Sequence, residues 1–181
     1  NGTLFDREDV KDFVETYGRY LSVGFSIDGT KECHDMNRID INGNGSWDKA
    51  VAGWKYLQNH VCKRNMSVKA TFNHDTIHMY AESVIALINL GFTNIHANTV
   101  FEEAWTQEDS TFIHDQLMFI SRYMQEHDLM SKVKFDQINK NGMNFKDLSI
   151  GATKDNNHCG SCEHMRALGF DNKIYGCHRF A

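Results

Sequence analysis

The chain alternates between two hydrophobic textures. Short apolar, β-branched runs end in polar or turn-forming residues and predict strands: "YLSVGFSI" at 20–27, "SVKATF" at 67–72, "NIHANTVF" at 94–101 and "KVKFDQI" at 132–138. Between them lie longer segments with apolar residues at helical spacing. "SWDKAVAGWKYLQNH" sets Val51, Trp54 and Leu57 on one stripe, with Ser46 as a candidate N-cap. "DTIHMYAESVIALINLG" closes at Gly91, a helix-ending glycine. "STFIHDQLMFISRYMQEH" carries Phe112, Gln116, Phe119 and Tyr123 along one side. "DREDVKDFVETYG" predicts a helix before the first strand, ending at Gly18.

Strands that alternate with helices imply βαβ units and a parallel sheet. The spacing suits a doubly wound sheet or an arc of a (β/α) barrel, and the pattern alone does not separate the two. The texture changes after residue 140. Residues 141–157 are rich in Asn, Gly and Lys and read as a linker. Residues 158–181 form a small cysteine-bearing tail.

Composition narrows the class. The chain has 181 residues, 41% of them hydrophobic, which is enough for a real core. Its net charge is −5 with both signs interspersed, against a large nucleic-acid surface. No apolar run is long enough to span a bilayer and no secretory signal opens the chain, so a cytoplasmic, membrane-free setting is expected. The cysteine count of five is odd, so reduced thiols and metal binding are favoured over disulfides. The chain opens on Asn1-Gly2, a turn signal, from which we expect residues upstream.

The tail "HCGSCEHMRALGFDNKIYGCHRF" holds three of the cysteines: Cys159, Cys162 and Cys177. The C-x-x-C spacing lets two thiolates reach one metal. "DNKIYG" predicts a tight hairpin, with Asn172 taking the left-handed conformation, that folds Cys177 back toward the pair. A disulfide staple, a Cys₃His zinc site completed by His158 or His178, and an iron–sulfur site all fit this spacing.

Two further groups fall at strand ends, where parallel α/β folds bind ligands. "GFSIDGTKECHDMNR" places Ser26, Asp28 and Gly29 at such an end, with His34, Asp35, Asn37 and Arg38 clustered after it. "NTVFEEAW" places Glu102 and Glu103 at another, where a carboxylate can act as a base. His96, in mid-strand, is expected to pack in the core or line a barrel. Cys33 and Cys62 stand apart from other cysteines, and Cys62 is expected on the back of a helix.

"FSIDGTKECHDMNR" followed by "NGNGSWDKAVAGW" resembles the fourth strand and following loop of radical SAM enzymes that carry a C-terminal SPASM domain. "NGTL" at the N-terminus resembles the end of their third strand, and "CGSC…DNKIYGCHRF" resembles the opening of SPASM, with Asn172 in place of a glycine. The resemblance is to peptide maturases and anaerobic sulfatase-maturating enzymes. It implies residues 1–140 as the later half of a partial (β/α) barrel with parallel strands, residues 141–157 as a linker, and residues 158–181 as the start of SPASM.

The resemblance also implies chemistry. Cys159, Cys162 and Cys177 would be ligands of auxiliary [4Fe–4S] clusters, with Cys159 and Cys177 ranking first. Ser26 would bond the amino or carboxylate group of S-adenosyl-L-methionine (SAM), Asp28 would belong to the same pocket wall, Arg38 would pair with the SAM carboxylate, and Asn73 would reach its ribose. Glu102 and Glu103 would be candidates for a substrate base. A 5′-deoxyadenosyl radical would abstract hydrogen from a peptide or protein substrate, with a flavodoxin or ferredoxin as electron donor. The Cys-x-x-x-Cys-x-x-Cys loop and the Gly-Gly-Glu-Pro-like segment of such enzymes are not in this sequence. The chain therefore reads as an internal fragment, inactive in SAM cleavage alone. A zinc-binding α/β interaction module is the alternative reading.

Overall fold

The structure, a computed structural model, describes residues 2–139 and 166–176. The described residues belong to two compact units, Asn1–Gly142 and Met143–Ala181.

Four strands form the sheet of the first unit: β1 (Val23–Ser26), β2 (Met66–Phe72), β3 (Asn94–Thr99) and β4 (Lys134–Phe135). They pair in parallel in the order β1-β2-β3-β4. Strand order follows chain order without reversal. A doubly wound sheet reverses at a switch point, so the observed order is that of a barrel arc.

The helices of this unit are α1 (Glu8–Tyr17), α2 (Lys31–Asn37), α3 (Trp47–Leu57), α4 (Tyr80–Asn89), α5 (Gln107–Glu126) and the short α6 (Asp136–Asn139). The core lies on one face of the sheet. Phe25, Met66, Val68, Ala70, Phe72, Ile95, Ala97 and Phe135 supply that face, and Val51, Trp54, Leu57, Val84, Leu87, Ile120 and Met124 cover it from the helices. Trp54 stacks on Phe92 with ring centroids 3.8 Å apart and donates its indole N–H to the Leu90 carbonyl at 2.8 Å. The large ring is therefore buried with its polar atom satisfied.

Side chains alternate along a strand, so the other face carries Ser26, Ser67, Lys69, Thr71, Asn94, His96 and Asn98, all at least partly exposed. Parallel sheets covered on both faces read as continuous apolar runs. Here β2 and β3 alternate, leaving one polar face.

Local signals explain most boundaries. Thr30 caps α2, its hydroxyl accepting from the Cys33 N–H at 3.2 Å. The sequence pattern does not predict this helix, because "KECHDMN" is mostly polar and carries no apolar stripe. Ser46 precedes α3, yet its side chain makes no cap bond. Asp35 does that work from α2, accepting from the Trp47 N–H at 2.9 Å. α4 ends in paired bonds, Gly91 N–H to Ile88 and Phe92 N–H to Leu87, with Gly91 at φ 91°. α5 begins earlier than expected, at a capping box in which Thr106 and Asp109 satisfy each other's backbone N–H groups. Its buried stripe runs through Ile120 and Met124 rather than the expected side, since Phe112 and Phe119 are exposed. The fourth strand is only two residues long and turns at once into α6. Cys62 is exposed rather than packed behind a helix, while Cys33 is buried.

In the second unit the described residues form the expected hairpin, β5 (Ala167–Leu168) antiparallel to β6 (Ile174–Tyr175). Asn172 takes φ 60°, and its N–H donates to the Gly169 carbonyl at 3.0 Å. Cys159, Cys162 and Cys177 lie outside the described residues. Among the described residues, no helix is long and apolar enough to cross a membrane.

Candidate functional site

A cavity of about 340 Å³ opens at the C-terminal ends of β1, β2 and β3, lined by Asp28, Asn37, Arg38, Thr71, Asn73, Val100 and Glu103. Of the residues singled out in the sequence, Asp28, Asn37, Arg38, Asn73 and Glu103 meet here. Ser26 lies two residues before Asp28 on β1, opposite Lys69 of β2. Glu102 is exposed and does not line the cavity.

Asp28 anchors the site. Its carboxylate is buried, with 3% of the side chain accessible. Arg38 donates from Nε to Oδ2 and from Nη2 to Oδ1, the latter at 2.9 Å. The Thr71 N–H donates to Oδ1 as well, also at 2.9 Å. Burying a carboxylate is tolerable only with such partners. The Asp28 N–H in turn donates to Nδ1 of His34 at 3.2 Å, and Nε2 of His34 meets the Ser46 hydroxyl at 3.0 Å. Ser46 donates to the Arg38 carbonyl at 2.8 Å, closing the ring of contacts. Nδ1 accepts, so Nε2 carries the proton and the imidazole is neutral. Burial pushes the His34 pKa below its ordinary value.

The turn that delivers Asp28 is tightly packed. Gly29 sits at φ 106°, and a Cβ there would meet the Ser83 Cβ at 2.2 Å. Its carbonyl accepts from the Trp47 indole N–H at 2.9 Å. The "SIDG…HD…R…GSW" residues are thus a hydrogen-bonded brace that fixes the cavity floor.

Asn73 and Asn37 face each other across the cavity with reciprocal amide contacts of 3.3 and 3.5 Å. The Asn73 Oδ1 also accepts from the Thr76 N–H at 3.1 Å and hydroxyl at 2.7 Å, holding the turn into α4. Glu103 is fastened from the other side. Its Oε2 accepts from the His74 N–H at 2.9 Å and lies 2.8 Å from Nδ1 of that histidine. The His74 ring stacks on Trp105 at 4.3 Å, and its Nε2 lies 3.4 Å from Asp109. Hydrogen bonds, first those from Thr106, lower the Asp109 pKa. Thr71, His74, Trp105 and Asp109 had not been singled out. Thr71 and His74 lie at and just after the end of β2, Trp105 lies in the connection from β3 to α5, and Asp109 belongs to the capping box that opens α5.

Among the described residues, no cluster of His, Cys, Asp or Glu could hold a metal ion.

No protein-family model matches the chain. A cysteine-type anaerobic sulfatase-maturating enzyme from Clostridium novyi (strain NT) is 39% identical over 66 residues, which are 36% of this chain and 17% of that protein. Solved structures of anSMEcpe match the fold at 19% identity over 75% of this chain. The native protein with bound AdoMet has a TM-score of 0.60, and the same protein with AdoMet and the Cp18Cys peptide has 0.59. The chain spans 38% of the length of those two solved chains. In sequence over part of its length and in fold over most of it, the chain is similar to anaerobic sulfatase-maturating enzymes of the radical SAM class.

Proposed function

We propose that this chain is part of a radical SAM enzyme that modifies a side chain of a peptide or protein. The observation that carries the reading is the polar cavity at the strand ends, on a fold shared with proteins bound to AdoMet. Its lining suits SAM, an amino acid joined to a nucleoside. Arg38 offers a guanidinium for a carboxylate, Asn37 and Asn73 offer carboxamides for ribose hydroxyls, and Glu103 offers an acceptor. Asp28 orients Arg38 and is itself fully engaged. Ser26, on the strand below the cavity, is the candidate for the SAM amino or carboxylate group. Glu103, held by His74, is the candidate proton acceptor for the substrate, with Glu102 beside it as the second. SAM bound to a reduced cluster would supply the hydrogen-abstracting radical, and a flavodoxin or ferredoxin would supply the electron.

The auxiliary [4Fe–4S] ligands in this reading are Cys159, Cys162 and Cys177. Support for them is the C-x-x-C spacing and the hairpin that precedes Cys177. The test of the cavity is SAM binding to the full-length protein by calorimetry. Arg38→Gln and Asn73→Asp are expected to weaken it at least tenfold, a loss of about 1.4 kcal/mol or more. Wild-type affinity in both variants would move the SAM site elsewhere.

A further inference from the structure

On the polar face of the sheet, one residue each from β1, β2 and β3 and the first residue of α6 fall in a single row. Ser26 is the register partner of Lys69, and Lys69 is the partner of His96. Ile95 pairs with Phe135, so Asp136 follows beside His96. Adjacent strands lie about 4.8 Å apart, so the row Ser26, Lys69, His96, Asp136 crosses the sheet at one level.

Charges along this row are not balanced locally. Asp136 is committed to His96, its Oδ2 against Nδ1. Asp28, the next carboxylate toward the cavity, is committed to Arg38 and the Thr71 N–H. The other outward residues of β2 and β3 are Ser67, Thr71, Asn94 and Asn98, none of them acidic. Lys69 is exposed, and its ammonium has no ion pair or hydrogen bond among the described residues. The chain as a whole has 24 acidic against 19 basic residues, so an unanswered ammonium flanked by polar groups runs against its composition. Lys69 also lies below the SAM-type cavity and does not line it.

We propose that Lys69 is a carboxylate-binding residue of the sheet's polar face and selects a peptide substrate bearing an Asp or Glu side chain near the modified residue. The proposal rests on the peptide-modifying reading above. An ammonium flanked by a serine and a histidine, on a face with no uncommitted carboxylate among the described residues, attracts an anionic group more strongly than a neutral amide. Specificity then comes from charge: an amide in place of the acid leaves the ammonium without its partner.

The test uses the full-length, cluster-loaded protein with SAM. The probes are blocked seven-residue peptides with a central cysteine and one Asp, moved through the six flanking positions, each paired with its Asn counterpart. Affinity is read by fluorescence anisotropy. At one position or more, the Asp peptide is expected to bind about tenfold tighter than the Asn peptide. Lys69→Gln should erase that preference without weakening the Asn peptide, and Lys69→Glu should reverse it. SAM affinity should be unchanged in both variants. Equal binding of Asp and Asn peptides at every position, or a preference that survives Lys69→Gln, overturns the subsite alone. Loss of SAM affinity in Lys69→Gln also overturns it, assigning the lysine to SAM instead. Binding of no peptide at all overturns the peptide reading and the subsite together.

Discussion

Arg38 grips Asp28 with two nitrogens, Nε on one carboxylate oxygen and Nη2 on the other, so that the residue just after α2 is tied back to the end of β1. The aspartate is almost wholly buried and the arginine is 30% exposed. One pair therefore has two duties: it holds the strand end together and presents a guanidinium edge to the cavity. Removing Arg38 strands a buried carboxylate, which costs about 3 kcal/mol. Removing both partners costs less than the sum. A double-mutant cycle with Asp28→Asn and Arg38→Met, read by chemical unfolding, should show coupling of about 2 kcal/mol. Additive losses would mean that the pair is not a unit.

Asn73 allows a structural role to be separated from the proposed binding of SAM. Its Oδ1 caps the turn at Thr76, while its Nδ2 faces Asn37 and the cavity. Asn73→Asp keeps the accepting oxygen and removes the donor. Stability should stay within about 0.5 kcal/mol while SAM affinity falls. A protein destabilised without loss of SAM binding would assign Asn73 to the turn alone.

His34 makes the fold sensitive to acid. It is neutral where it is buried, and its pKa lies below the ordinary value of 6.5. The unfolded chain therefore binds a proton more readily, and stability falls as pH drops below about 6.5 until the folded-state pKa is passed. Above that value the contribution is fully present. Unfolding free energies at pH 7.5, 6.5 and 5.5 should fall more steeply for the wild type than for His34→Gln, which carries no charge. Parallel pH profiles would contradict the buried neutral assignment.

Gly29 is a packing requirement at the end of β1. Its positive φ and the proximity of Ser83 leave no room for a Cβ. Gly29→Ala should cost about 2 kcal/mol or more in thermal or chemical unfolding. A neutral effect would mean that α4 can withdraw from the turn.

Much of this architecture was legible in the sequence, for reasons that differ by element. Val51, Trp54 and Leu57 are all buried, because their spacing is that of one helical face. Asn172 announced its left-handed turn through residue type alone. α2 was not legible, since "KECHDMN" has no apolar stripe and is held by contacts to Asp28, Ser46 and Trp47 that only the fold creates. The strand-end rule pointed to Asp28, Asn37, Arg38 and Glu103, and the resemblance to Asn73; all five line one cavity. Neither revealed that Asp28 and Arg38 satisfy each other there. His74 was missed because its partners, Glu103 and Asp109, lie 29 and 35 residues away.

The most direct test is made on the full-length protein, purified without oxygen, loaded with iron and sulfide, reduced, and given SAM. The account predicts a brown protein that converts SAM to 5′-deoxyadenosine. It also predicts a Cys177→Ala variant that loses about four irons, one cluster's worth, yet still makes that product. A colourless protein that holds one tightly bound zinc and leaves SAM intact would contradict it.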